Sequence, residues 1–259
     1  MKYHIRSIKN GWFILKEVGL GFFRLHLVGI FVLSTSLVFA ENKAWENQLS
    51  FGADYKSGNT KKSLYIFDLK REKYTDSNDW INGLYSEFGE TEGLQSEGLI
   101  RAYSEYRSRF NDSRFFSSIL VQGVHDSIRS IKLRAKFGPN LGVYLINKSK
   151  VKLDLTVGLN STYERGVENE EAYAGYRFSL NFKWYLNNVS STYSKVEFSG
   201  NTGDPFVDYY GWLILGVKSS LLDDISLFAE LRNDYNNVPD LDITKKNDIL
   251  VNLGLSYVF

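Results

Sequence analysis

Residues able to carry acid–base or nucleophilic chemistry are sparse in this 259-residue chain. Histidine occurs three times, and only His125 lies beyond the first 40 residues, beside Asp126 and Ser127. A serine-hydrolase relay needs an imidazole within hydrogen-bond reach of both a hydroxyl and a carboxylate. Successive residues of an extended chain face opposite ways, so the run His125-Asp126-Ser127 cannot form that relay. Ser117 and Ser118 share its stretch and stay open as partners, so an enzyme is the minor alternative to a solvated loop histidine. Cysteine is absent, which removes disulfides, zinc–thiolate sites, iron–sulfur clusters, thiol nucleophiles and a lipidated N-terminal Cys. Carboxylates gather at Glu164, Glu168, Glu170 and Glu171, at Glu90, Glu92 and Glu97, and at Asp240 and Asp242. Oxygen ligands suit Ca²⁺ or Mg²⁺, but no spacing here matches a calcium loop. They read as solvated acidic loops, with lipopolysaccharide-linked divalent cations as the sharper alternative. No phosphate loop or glycine-rich dinucleotide turn occurs, and no cofactor is called for.

A different chemistry is open to the basic residues. Arg101, Arg107, Arg109, Lys132, Arg134, Lys136, Lys152, Arg177 and Lys183 fall on one set of alternating positions, with only Glu105 and Asp154 against them. Further on, Lys195, Glu197, Asp208, Lys218, Glu230, Arg232 and Asp234 nearly balance. An arc of fixed charge in a confined space raises the local concentration of counter-ions. Whether such an arc exists depends on the elements that carry these residues.

Those elements are strands. Val151, Leu153, Leu155, Val157 and Leu159 alternate with Lys152, Asp154, Thr156, Gly158 and Asn160. Ala172, Ala174, Tyr176, Phe178, Leu180, Phe182 and Trp184 alternate with polar or small residues in the same way. Period two puts one apolar and one polar face on each strand. Counting such runs between turn signals gives about twelve strands, although stretches near 64–74, 79–88 and 114–125 alternate poorly and allow ten. The connectors carry Asn, Asp, Gly, Ser and Pro, as at Ser57-Gly58-Asn59 and Asn236-Asn237-Val238-Pro239. No composition break divides residues 41–259, which read as one all-β domain, an antiparallel meander. Connectors 75–79, 111–113, 146–149 and 187–190 are expected at one end, and the longer 89–97 and 236–246 at the other.

Residues 1–40 form a separate segment. Lys2, Arg6, Lys9, Lys16 and Arg24 precede an apolar run from Leu25 to Ala40, after which the chain turns polar at Glu41. This is the order of a secretory signal peptide; the run is short for the roughly twenty residues of a spanning helix. The full chain carries 31 basic and 30 acidic residues. Removing 1–40 leaves 26 basic and 29 acidic, a net charge of −3, which gives no footprint for nucleic acid.

Alternation alone fits a soluble barrel with an apolar centre or a membrane barrel with an apolar exterior. Strands of ten to fifteen residues exceed the roughly five to six usual in soluble proteins. Aromatics, 15% of the chain, gather near strand ends at Tyr74, Trp80, Phe110, Phe115, Tyr163, Tyr173, Trp184, Tyr193 and Tyr235, as expected of two interfacial girdles. The last strand places Leu253, Leu255, Tyr257 and Phe259 on one face and ends on an aromatic. Leu255, Tyr257 and Phe259 so look like the terminal signal read by the outer-membrane barrel-assembly machinery.

Several stretches resemble a bacterial family named for salt-induced outer-membrane proteins, whose domain is of unknown function. They are Ser57-Gly58-Asn59-Thr60, Leu141 to Ile146, Leu222 to Leu227, Asp234 to Pro239, Lys245 to Asp248, and Gly254 to Phe259. The likeness spans nearly all of 41–259; one departure is the single Pro239. The resemblance implies an outer-membrane β-barrel facing lipid and lipopolysaccharide, and carries over no catalytic residue. The expectation is an up-and-down transmembrane barrel of about twelve strands. Its role would be a narrow, mildly anion-preferring passive channel for small solutes. A barrel plugged by cross-lumen salt bridges, serving structure or surface interaction, is the competing reading.

Overall fold

The computed structural model describes residues 45–56, 62–111, 114–167, 170–237 and 246–259. Residues 1–40, read above as a signal peptide, the Ser57 to Thr60 stretch, and Glu168, Pro239, Asp240, Asp242 and Lys245 lie outside them. Among the described residues are twelve strands: β1 (Glu46–Lys56), β2 (Lys62–Tyr74), β3 (Asn78–Thr91), β4 (Leu94–Arg109), β5 (Phe115–Asp126), β6 (Ile131–Asn147), β7 (Val151–Arg165), β8 (Glu170–Tyr185), β9 (Ser190–Asn201), β10 (Tyr209–Ser220), β11 (Ile225–Asn236) and β12 (Asn247–Val258). Each pairs antiparallel with the next, and β12 returns to β1, so the sheet closes into a barrel. An even strand number brings the start of β1 and the finish of β12 to one end, here called inner; the β3–β4 and β5–β6 turns lie at the outer end.

Closure removes every edge, which matters because an unpaired backbone group in hydrocarbon costs several kcal/mol. The seam is the weakest join. Gln48–Gly52 pair with Val258–Gly254 over five positions, against eleven between β1 and β2. Phe259 reinforces it: its N–H donates to the Asn47 carbonyl at 3.0 Å, and the Asn47 side-chain amide donates to the Phe259 carbonyl at 3.0 Å.

The apolar rows point outward. Val157 is 46% exposed, Leu159 63% and Leu253 62%, while Thr156 and Ser256 on the opposite faces are 1% exposed. Water would not support that arrangement over a whole cylinder, since exposed apolar patches on soluble proteins rarely exceed a few hundred Å². Lipid does, and the barrel is a transmembrane one.

The inside is not uniformly polar. Leu64, Ile66, Tyr85 and Leu99 form a buried cluster on β2–β4, with Val124 and Leu250 packed against it. β2 and β3 therefore carry apolar residues on both faces, as does β5 with buried Phe116 and Leu120, which is why these three stretches alternate poorly. Glycines make room for inward tyrosines: a Cβ on Gly83 would come within 2.3 Å of the Tyr103 ring, and one on Gly216 within 2.2 Å of Tyr193. Tyr193, expected at an interfacial girdle, so belongs to the lumen.

Two local departures correct the pattern read from sequence. The expected long connector 89–97 is a two-residue hairpin turn, because β3 and β4 continue to Thr91 and Leu94. Glu92 and Gly93 both take positive φ, 54° and 76°, as the turn whose twist matches its strands requires. A bulge then shifts register between β5 and β6: Val124 faces Arg134, but Asp126 faces Ile131. The extra β6 residue breaks alternation, so Ile131 and Arg134 both line the lumen while Lys132 and Leu133 are exposed. Lys132, placed by alternation in the basic arc, stands outside it.

Candidate functional site

Among the described residues two cavities open in the lumen. The outer, of about 310 Å³, is bordered by Arg101, Gln122, Arg134, Glu197, Tyr210, Trp212 and Arg232, and by Ile128 and Arg129 of the β5–β6 turn. The inner, of about 500 Å³, is bordered by Lys70, Glu105, Arg107, Lys152, Asp154, Lys183, Lys195, Lys218, Glu230 and Arg232, and by Asn187 and Asn188 of the β8–β9 turn. Arg232 borders both.

Between them side chains from opposite walls meet. Arg101 lies 4.9 Å from the Trp212 ring centre, although β4 and β10 are six strands apart in a ring of twelve. Lys195 covers the same ring at 4.6 Å and lies 5.6 Å from Tyr103. Arg232 bonds to Glu230 and sits 3.8 Å over the Tyr85 ring. Arg107 donates to Glu105 at 3.0 Å and reaches Asp154 at 3.4 Å. Arg177 donates to Glu197 at 2.9 Å, and Lys195 lies 3.8 Å from the same carboxylate. No backbone crosses this layer among the described residues.

The remaining residues singled out from sequence are distributed along the bore. Arg109 makes a bidentate pair with Asp79 at 2.8 and 2.9 Å near the inner end, where Tyr144 also donates to Asp79. Arg134 pairs with Glu164 at 2.5 and 2.8 Å. Glu164 was assigned to an acidic outer loop; it sits on β7, opposite Arg134 in register. Lys136 is 5% exposed and lies 4.0 Å over the Tyr210 ring, with no ion pair or hydrogen bond among the described residues. Lys152 and Lys183 approach Tyr74 and Tyr185 at 5.4 and 4.9 Å by the inner cavity. Leu255 and Tyr257 face outward, and the Tyr257 and Phe259 rings stack at 5.6 Å.

Alternation misplaced Lys132 and gave no sign of what the other cations touch. Asp79 and Glu164 neutralise Arg109 and Arg134 from neighbouring strands, and Tyr103, Tyr210 and Trp212 supply faces for Arg101, Lys136 and Lys195. A basic residue on one wall says nothing of the wall it meets, which is set by barrel diameter and register.

At the outer mouth Arg129, in the β5–β6 turn, donates to Asp248 on β12 at 2.8 Å. Those elements lie on opposite sides of the ring, so the pair spans the opening. Burial opposes the Arg129 charge, but the Asp248 hydrogen bond and the Asp126 and Asp234 carboxylates outweigh it and raise its pKa. His125 lies at the β5 bulge, where its Nδ1 is 3.0 Å from the Lys132 carbonyl oxygen. Ser117 and Ser118 are seven or eight residues away on the same strand, about 23–26 Å at strand rise. No group of three His, Cys, Asp or Glu placed to hold a metal occurs among the described residues.

No curated protein matches this sequence. Among solved structures, the NanC porin superposes with a TM-score of 0.51 at 9% identity, covering 83% of this chain and 99% of that one. An outer membrane channel from Pseudomonas putida F1 gives 0.49 at 13% identity (85% and 97% covered), and the KdgM porin 0.46 at 12% (83% and 99%). At such identities the likeness speaks for the fold alone. The sequence model of the family described as "Protein of unknown function, DUF481" matches residues 49–259, nearly the whole barrel. The chain, with its closed twelve-strand wall and charged bore, belongs to that family.

Proposed function

We propose that this protein is a narrow passive channel of the outer membrane for small solutes, with a mild preference for anions. The observation that carries the reading is the division of the lumen: two cavities, one reaching each end, with one layer of side chains between them and Arg232 as their common wall. Side-chain rotamers exchange far faster than backbone plugs move, so such a layer can pass a small solute without unfolding. The charged groups linked through the layer are Arg101, Arg107, Arg177, Lys195 and Arg232 against Glu105, Asp154, Glu197 and Glu230. That excess of positive charge at the narrowest level favours anions, although carboxylates outnumber cations around the outer cavity. The partners on this reading are membrane lipid, lipopolysaccharide, and the barrel-assembly machinery acting on Leu255, Tyr257 and Phe259.

The cross-wall contacts of Arg101 and Lys195 with Trp212 and Tyr103 favour a second reading, a plugged structural or surface-interaction barrel. Reversal potential across an asymmetric KCl gradient in planar bilayers separates the two. A small conductance with anion preference is expected. A folded, inserted barrel with no conductance overturns the channel, and cation preference overturns the charge argument.

A further inference from the structure

Beside the central layer, the wall made by β7, β8 and β9 carries buried donors that nothing satisfies. Arg177 spends only Nη2 on Glu197; its Nε and Nη1 are buried without a partner. The hydroxyls of Thr156, Ser179 and Ser199 are likewise buried and unpartnered. Register makes these one patch: Thr156, Ser179 and Glu197 form a row across the three strands, and Gly158, Arg177 and Ser199 form the next. Buried polar atoms are nearly always hydrogen-bonded, and each orphan costs about 1–3 kcal/mol. Four residues orphaned side by side point to an absent occupant.

The occupant's chemistry follows from the donors. Guanidinium N–H groups only donate, and the three hydroxyls can donate too, so the occupant accepts on all sides. Charge argues in the same direction. Glu197 pairs with Arg177 and Lys195, and Arg107, Lys136 and Glu105 also act on this group, so four cations stand against two carboxylates out of water. Water would fill the hydrogen bonds and leave that excess; an anion offsets both. None of Thr156, Arg177, Ser179 or Ser199 borders either of these cavities, so a single-atom occupant, which asks the least side-chain displacement, fits the patch best. We propose that this patch binds a single monatomic anion of the halide class, with Lys136 at its edge. The site gives a chemical class and a resting place to the anion preference proposed above, and it stands whether or not solutes pass through.

Two measurements on the detergent-purified full-length barrel test it. Crystals grown in bromide should show one anomalous peak within hydrogen-bond distance of Arg177 Nε or Nη1 and the Ser179 and Ser199 hydroxyls. The thermal midpoint should be higher in sodium chloride than in sodium gluconate at equal ionic strength, as binding to the folded state alone requires. Lys136→Met, which orphans no carboxylate, should shrink that difference and lower the bromide occupancy while the barrel still folds. Water alone at the patch in bromide, or equal midpoints in the two salts, overturns the inference. Binding without conductance would overturn the channel and leave the site standing; conductance without binding would do the reverse.

Discussion

Trp212→Ala tests the central layer most directly. The Trp212 ring lies between Arg101 at 4.9 Å and Lys195 at 4.6 Å; Lys195 stands on the neighbouring strand β9, and the Arg101 contact is the one that crosses the bore. A cation–aromatic contact contributes about 1 kcal/mol when partly hydrated, so losing the Arg101 contact removes about 1 kcal/mol from the closed layer. At thermal energy that is about a fivefold rise in the open fraction at its ceiling. The substitution strips no carboxylate of its partner, because the Lys195 and Arg177 contacts with Glu197 remain. The barrel should therefore fold. Unitary conductance in planar bilayers should rise and the reversal potential become more anion-selective, since Arg101 is then free to face the path. Trp212→Leu keeps bulk without the aromatic face and should fall between the two. If Trp212→Ala conducts as the native protein does, while circular dichroism shows an intact sheet, the layer does not control passage and the reasoning fails.

Three further perturbations test other parts of the account. Val157→Arg puts a charge near mid-strand on the outward face and should cost about 2–4 kcal/mol in urea unfolding from lipid vesicles; a cost near zero would mean that face does not meet lipid. Deleting Phe259 removes the seam bonds to Asn47 and the terminal aromatic, so the amount of barrel in the outer-membrane fraction should fall at unchanged synthesis; undiminished insertion would rule out the terminal signal. Asp248→Asn breaks the pair spanning the outer mouth. An exposed pair contributes under about 1 kcal/mol, so stability should hold. Modification of a Gln122→Cys reporter by a water-soluble thiol reagent should nevertheless speed up, in a chain with no other cysteine; an unchanged rate would show that the strap does not limit access.

What the sequence determined by itself was the wall. Period-two alternation, as in Val151 to Leu159, is a local property of one strand, and it survives into the structure because each strand's apolar face meets only lipid. Strand number, antiparallel order and the outward turn of the aliphatic rows were legible for that reason. The poorly alternating stretches were those whose inner face is apolar too, at Leu64, Ile66 and Tyr85 on β2 and β3 and at Phe116 and Leu120 on β5. What only the tertiary structure decided was the bore. One extra residue between Ile131 and Arg134 removed Lys132 from the arc. Asp79 and Glu164, distant in sequence from Arg109 and Arg134, neutralised them. Arg101 met Trp212 from six strands away. Contacts across a closed cylinder depend on its diameter and register, which belong to the ring as a whole, so no single strand's pattern can encode them.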